Sequence, residues 1–173
     1  MKLWRVIVLW MLLALPAAAQ DVQPQVLIVD IERVYIETLL GRRIEADFSA
    51  QAAALQAEND RIASTLIAEE TSLTERRPEM TPELFRKEAD TFHERAQAVR
   101  QSREDAEVAL RTAFANARAR FEDQIQGVIA NIMIERGAVM VMERRSVFLS
   151  VRAANITDDV IVRVDAELGD GSR

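Results

Sequence analysis

Cysteine is absent from this 173-residue chain, and glycine, proline, histidine and aromatic residues are scarce. Without cysteine there can be no disulfide framework, thiol nucleophile or thiolate metal site. Five glycines and four prolines are too few for a fold of many short strands joined by tight turns. Alanine, arginine, glutamate and glutamine are abundant instead, and this composition favours long helices.

Charge and motif content exclude further classes of function. The chain has 22 basic and 28 acidic residues, and a net negative charge disfavours nucleic-acid binding because phosphates must be neutralised by Lys and Arg. It has no glycine loop that could hold a phosphate and no nucleophile elbow. A single histidine, His93, cannot form a metal site without other ligands. We therefore predict no enzyme activity and no catalytic, cofactor or metal site, and leave membrane-surface contact open.

Residues 1–19 have the pattern of a secretory signal peptide. Lys2 and Arg5 precede an uninterrupted apolar run of ten residues, and an A-x-A site ends at Ala19. A membrane-spanning helix needs about 20 apolar residues, roughly twice this length. We predict cleavage near Ala19 and Gln20 and export of the mature chain. Loss of two basic residues from a chain of net charge −6 leaves a mature charge of −8.

Three β-like runs bracket a long helical middle. The first spans residues 26–31, which are apolar except for Asp30 and show no helical period, and it predicts a strand. The second and third, residues 138–142 and 147–151, are separated by four residues, which predicts a β-hairpin. A final helix is predicted with Thr157 as its N-cap and Gly169 at its end.

The strands predict a small body made by residues 20–41 and 120–173. Three strands with so little cover cannot form a sufficient core alone, so we expect other subunits to complete it. The fold class is thus α+β and mostly helical, with a small β body and a long antiparallel coiled coil. The predicted core of the body consists of Leu27, Val29, Val139, Val141 and Phe148.

The strongest regularity lies in residues 42–119, where two stripes of eight positions each follow the 4-3-4-3 spacing of heptads. The stripe positions are apolar except for Asn59, Glu69 and Arg103. Pairing Phe48 with Leu110 and Leu73 with Phe85 brings every position of one stripe opposite a position of the other. This predicts an antiparallel helical hairpin with its turn near residues 76–82. The predicted seam contains Phe48, Leu55, Ile62, Leu66, Leu73, Phe85, Phe92, Val99 and Leu110.

The local chemistry of the turn supports the same hairpin. Pro78 disfavours helix at the residue before it, whereas Thr81 and Pro82 are suited to the N-cap and first position of a new helix. The tip carries equal numbers of acidic and basic residues over 75–88. Met80, Leu84 and Phe85 are candidate partner contacts at this tip.

The order of these features resembles the Skp/OmpH family of periplasmic chaperones. The resemblance rests on the signal peptide, the strand that runs into residues 30–35, the charged hairpin, residues 137–142 and the closing residues 155–161. It implies a homotrimer whose strands form a β-barrel body and whose hairpins project around a cavity. It also implies an ATP-independent holdase that keeps unfolded outer-membrane proteins soluble.

This chain departs from the best-known members of that family, which are strongly basic. Because its mature charge is negative and its tip is neutral, we carry over no basic tip site. Two other classes of protein are compatible with these residues. A non-catalytic envelope scaffold could use the hairpin to dock one fixed partner, and a prefoldin-like cytosolic chaperone also combines strands with a coiled coil. The signal peptide argues against the second.

Overall fold

The structure, a computed structural model, describes residues 26–172, so the predicted signal peptide lies outside the described residues. Most of this part is helical, as predicted. Short 3-10 turns occupy Arg77–Glu79, Arg144–Ser146 and Arg152–Ala154. The strands and α-helices in chain order are β1 (Val26–Val29), α1 (Ile31–Glu37), α2 (Leu39–Arg76), α3 (Pro82–Glu135), β2 (Met140–Glu143) and α4 (Thr157–Leu168).

Helices α2 and α3 form the long antiparallel hairpin, which we call the arm. They contain 38 and 54 residues, and a helix rises about 1.5 Å per residue, so α2 alone is about 57 Å long. The start of α3 is as predicted. Thr81 is its N-cap, with a hydroxyl that accepts a hydrogen bond from the Leu84 backbone N–H at 3.3 Å, and Pro82 is its first residue.

The body is built by segments that are far apart in the sequence. Strand β1 pairs in parallel with β2, so the whole arm forms the connection between two neighbouring strands. On its other side, Ile28 of β1 forms a parallel bridge with Asn155. One core is made by apolar side chains from β1, α1, the start of α2, the end of α3, and α4 with the residue before it: Leu27, Val29, Val34, Tyr35, Leu40, Phe121, Ile125, Val128, Ile132, Ile156, Val160 and Val164.

The predicted β-hairpin over residues 138–151 does not form within the single chain. Only residues 140–143 are a strand, and the 3-10 turn Arg144–Ser146 follows directly. Residues 147–151 are irregular and largely exposed, so among residues 26–172 there are two strands rather than three. Strand β2 pairs instead with the distant β1. Nothing else within residues 26–172 covers the apolar side chains of Phe148, Leu149 and Val151.

Two boundaries also differ from the sequence prediction. Ile31 begins α1 instead of ending β1, because the Asp30 carboxylate accepts the Arg33 backbone N–H at 3.0 Å and caps the helix. Thr157 is the first residue of α4 rather than its N-cap. Its hydroxyl accepts the Asp30 backbone N–H at 3.0 Å, and this bond ties the start of α4 to the end of β1. Gly169 ends α4 with φ of 57°, as predicted.

Candidate functional site

The body presents apolar side chains to solvent around β2 and the residues that follow it. Of the five predicted body-core residues, Leu27 and Val29 are buried and Val141 packs partly buried against the core. Val139 and Phe148 are instead exposed, by 72% and 103%. An apolar group fully open to water forgoes the stabilisation that burial would give, and a cluster of such groups is typical of interaction surfaces. The exposed apolar residues of this face are Val139, Met140, Phe148, Leu149 and Val151.

The arm has a shallow seam. All 16 positions of the two predicted stripes are buried or half-buried, and most residues between them are exposed. Of these positions, only Asn59 and Leu73 are buried, and the others are half-buried. The two helices therefore meet along the predicted stripes, but each seam side chain retains contact with water.

The half of the arm near the body is held by aromatic packing. Phe48 stacks on Phe114 with ring centroids 4.2 Å apart, one helical turn beyond its predicted partner Leu110. This displacement follows from helix geometry, because side chains lean toward the N-terminus of their own helix. In an antiparallel pair, Phe48 leans toward the body, and the α3 residue that meets it lies further along the chain.

Two ion pairs also join the helices in the half of the arm near the tip. Arg95 pairs with Glu69, and Arg76 pairs with Glu88 at 2.8 Å, and both pairs join α2 to α3. They border a cleft of about 790 Å³ between the helices, with Leu73, Leu84 and Phe92 among its lining residues. Exposed pairs of this kind contribute little to stability, about 0–1 kcal/mol each.

The half of the arm near the tip, which we call the distal half, also contains hydroxyl groups that bond to the helix backbone. Five Ser or Thr hydroxyls of the arm donate to the backbone carbonyl four residues earlier, and all five lie between residues 64 and 91. Bonds of this kind compete with the helical ladder and often bend a helix. The five residues are Ser64, Thr65, Thr71, Thr74 and Thr91.

At the tip, the predicted contact residues differ in exposure. Leu84 is 46% exposed, whereas Met80 and Phe85 are half-buried. The Arg77 guanidinium lies 5.1 Å from the centroid of the Phe85 ring, in a cation–π contact. Their role in partner contact stays a prediction.

Where the arm joins the body, a compact cluster fixes the angle between α1 and the arm. The Tyr35 ring packs edge-on against Phe121 at 5.2 Å, and the Arg118 guanidinium lies 4.6 Å from its centroid. Arg118 also pairs with Glu32, and the Tyr35 hydroxyl donates to Glu45 at 3.2 Å. Burial, followed by the nearby charge of Glu45, raises the pKa of Tyr35 to about 12.

Gly41 allows this junction to close. A Cβ atom at this position would lie 1.8 Å from the Tyr35 carbonyl oxygen, far inside any contact distance. The first turn of α2 therefore packs against the end of α1 only because residue 41 has no side chain. Thr38, buried between the two helices, caps α2 by accepting the Gly41 N–H at 3.3 Å.

A second set of ion pairs joins the end of α3 to α4. Arg163 makes two hydrogen bonds to Glu135, at 2.8 and 2.9 Å, and Arg136 pairs with Asp159. The bond from Arg163 holds the pKa of Glu135 below its usual range. These pairs orient α4 over the core but involve exposed groups.

Within residues 26–172, no helix is both long and apolar enough to cross a membrane. No group of three or more His, Asp or Glu side chains in this same part of the chain is arranged to hold a metal ion. The features that remain are an exposed apolar face on the body and a long, shallowly packed arm.

Comparisons with known proteins agree with this architecture. The family described as "Outer membrane protein (OmpH-like)" matches residues 25–164. A comparison with curated proteins found no match. Among solved structures, the chain is similar to an OmpH-like outer membrane chaperone from Caulobacter crescentus, with a TM-score of 0.81 at 19% identity. That match covers 91% of this chain and 93% of the other, and at this identity it shows the shared fold.

Sequence reasoning missed the junction cluster and the exposure of Phe148. Tyr35, Glu45 and Arg118 have no common spacing, since they come from three helices. Gly41 was the one available signal, because an isolated glycine within a helical pattern often marks a close approach of backbone. The exposed state of Phe148 had no signal, since its sequence context is that of an ordinary strand.

Proposed function

Because the chain belongs to the OmpH-like family of outer membrane proteins, we propose that it is a periplasmic holdase that works without ATP. Its clients are unfolded outer-membrane β-barrel proteins, which it keeps from aggregating. The observation that carries this proposal is the pairing of one small body, with an open apolar face, and one arm far longer than the body needs. An arm of this length gives a protein that encloses others the reach that it needs.

The open face supports self-assembly, and we propose a homotrimer. Phe148 and Leu149 are exposed by 103% and 85%, and burial of each would contribute about 1.5–3 kcal/mol per side chain. Three copies joined through their bodies would place three arms around one cavity. Exposed body residues such as Val139 then belong to the core of the assembly, as the sequence predicted.

The arms support reversible client binding. An unfolded barrel protein exposes apolar side chains and unpaired strand edges, which aggregate readily. Contacts from three arms act together, so weak individual contacts hold the client without a deep pocket. Single apolar residues such as Ile67 and Val108, 64% and 53% exposed on the arm, are suited to such contacts. Clients leave when their own folding competes with the arms, a step that uses no nucleotide.

An aggregation assay tests this function. A urea-unfolded outer-membrane barrel is diluted into buffer with the chain and without nucleotide, and light scattering is followed. We expect the chain to suppress scattering at about one trimer per barrel. A variant that lacks 14 residues from each arm helix, 59–72 and 89–102, keeps the heptad register and should lose most of this protection.

The opposite result favours the other candidate. If the intact chain leaves barrel aggregation unchanged and recovers one stoichiometric partner from envelope extracts, a fixed-partner scaffold explains the arm better. Comparable protection by the shortened variant would leave the holdase in place but remove the arm from its mechanism.

A further inference from the structure

The start of the arm is braced by a carboxylate from the last turns of α4. Asp165 lies on α4, and its side chain accepts a hydrogen bond at 2.8 Å from the backbone N–H of Leu39, the first residue of α2. This N–H belongs to the first turn of α2, where backbone donors have no partner within the helix. The carboxylate also faces the positive end of the helix dipole. Asp165 therefore fixes the first residue of α2 to the side of α4.

The residues that follow α4 continue this contact. Gly171 lies so close to Leu40 that a Cβ atom on it would be 2.6 Å from the Leu40 Cδ1 atom. Its φ of 74° is also one that glycine adopts without strain. The Asp170 carbonyl oxygen accepts a hydrogen bond from the Arg43 guanidinium at 3.1 Å, in the second turn of α2. We call residues 165–172 the strap.

The strap is held in turn by the body. Val160 and Val164, on the same helix, are fully buried in the core. Leu168, at the end of α4, packs half-buried against that core. The two hydrogen bonds from Arg163 to Glu135 join α4 to the end of α3. A contact between α2 and the strap is therefore a contact between the arm and the body.

The strap lies beside a joint in the chain. Thr38 is the single residue between α1 and α2, its backbone is extended with ψ of 154°, and hinges are commonly formed by residues at the ends of such elements. Asp170 and Gly171 border a cavity of about 360 Å³ between α2 and α3, with Phe48 and Phe114 among its other lining residues. Side chains thus leave space between the helices where the arm begins. The junction cluster holds this joint on the side of α1, and the strap holds it on the side of α4.

A brace at this position opposes bending of the arm at its base. When two joined helices bend, they slide past each other, because the helix on the outside of the bend follows a longer path. Helix α3 is held in place by Phe121, Ile125 and Ile132, which lie in the core of the body. Helix α2 slides only if its first residues leave the body. Contacts that hold those residues therefore restrict the swing of the whole arm.

We propose that the strap limits how far the arm swings from the body, and that this limit sets the size of the client proteins that the arms enclose. The limit on the swing is a property of the single chain. Its effect on clients rests on the proposed function. The family match ends at residue 164, so the strap lies beyond the matched residues. Asp165 is a positioning residue in this arrangement, since it acts through α2.

Two double variants test the strap. The strap variant, Asp165→Ala with Gly171→Val, removes the carboxylate and places a side chain where Leu40 lies. The control variant, Glu167→Ala with Ser172→Val, changes an acidic and a small residue of the same segment, both exposed. Circular dichroism checks the helix content of each. If the strap variant loses helix, Asp165→Ala alone takes its place, with Glu167→Ala as its control.

The swing is measured within one chain. Because the sequence has no cysteine, spin labels attach only at two introduced positions, Glu79→Cys at the exposed tip and Val162→Cys on α4, where Val162 is 70% exposed. Labelled chains are refolded from urea with a large excess of unlabelled chains, so that an assembly carries at most one labelled chain. Pulsed electron spin resonance then gives the distribution of distances between tip and body.

We expect the parent chain and the control variant to give the same distribution and the strap variant to give one that is broader by several ångströms. An unchanged distribution in a strap variant that keeps its helix content would overturn the inference. Equal broadening in the strap and control variants would also overturn it, because the change would then reflect general loosening of the segment.

Barrel proteins of two sizes test the effect on clients. A small and a large outer-membrane barrel are each unfolded in urea and diluted into the parent chain, the strap variant or the control variant, and light scattering is followed. We expect the strap variant to shift protection several-fold toward the large barrel. An unchanged size preference, despite a broader swing, would overturn the link to clients. If the parent chain protects neither barrel, the proposed function fails, whereas the limit on the swing is still decided by the distances, which need no client.

Discussion

The body and the arm bury their apolar side chains to different depths. In the body, core side chains such as Leu27, Phe121 and Val160 are at most 1% exposed and come from three distant parts of the sequence. In the arm, neighbouring turns of two helices meet along a seam whose members are mostly half-exposed. The body thus has one well-defined arrangement, whereas the arm can bend at small cost in lost contacts.

The arm itself divides into two halves with different chemistry. Near the body, the Phe48–Phe114 stack and the Tyr35 cluster hold the helices by aromatic contacts. Toward the tip, ion pairs and hydroxyl groups that bond to the helix backbone take their place. Stiffness should therefore fall from the body to the tip.

Replacing one phenylalanine by alanine in each region should give the largest difference in the free energy of unfolding. Phe121→Ala in the body should cost about 3–5 kcal/mol, because a fully buried ring leaves a cavity. Phe92→Ala in the arm should cost about 1–2 kcal/mol, because the half-exposed ring buries less surface and the helices can close the gap. Urea unfolding at one fixed protein concentration measures both. Equal costs would contradict the distinction between body and arm.

Two glycines offer a matched test of the junction. Gly41→Ala places a Cβ 1.8 Å from the Tyr35 carbonyl oxygen, so α1 and α2 must separate, and overpacking of this kind costs about 1–3 kcal/mol. Gly127→Ala, on α3, meets nothing within 4 Å and should stabilise the chain by about 0.5–1 kcal/mol. Thermal unfolding compares the two. A Gly41→Ala variant as stable as the parent chain would show that the close junction is dispensable.

The hydroxyl groups allow the distal half to be stiffened. Thr71→Val with Thr74→Val keeps the shape of both side chains and removes only the hydroxyls that compete for helical carbonyls. We expect amide hydrogen exchange over residues 64–76 to slow by a few-fold. Thr112→Val, on an exposed residue of the half near the body, is the control and should leave exchange unchanged. If the double variant and Thr112→Val changed exchange equally, the flexibility of the distal half would have another cause.

The smallest effect concerns the single tyrosine. Burial, then the charge of Glu45, raises the pKa of Tyr35 from its usual value of 10.0 to about 12. The folded chain therefore favours the protonated Tyr35 hydroxyl. The stability that this hydroxyl contributes is present below pH 10 and is lost as pH rises through 12. Ultraviolet absorbance of the chain without its signal peptide reports this residue alone. Glu45→Gln should lower the pKa only in part, and titration near 10 in both proteins would contradict the cluster.

Much of the arm was predictable from the sequence, because its contacts are periodic and its turn is local. The heptad stripes, the Thr81 cap and Pro82 at the helix start all depend on neighbours within a few residues. The body was predictable only in part. Whether residues 147–151 pair with β2 of their own chain depends on what else covers β2, and this is decided by distant parts of the chain or by another copy. The Thr157 hydroxyl likewise binds Asp30, 127 positions away, instead of capping its own helix.

The central claim is that three copies join through their bodies and enclose one unfolded barrel protein. Native mass spectrometry of residues 20–173, before and after a urea-unfolded outer-membrane barrel is diluted into them without nucleotide, tests it most directly. The account predicts the mass of a trimer, and then that of a trimer with one barrel bound. A monomer or dimer that leaves the barrel to aggregate would contradict both the assembly and the function.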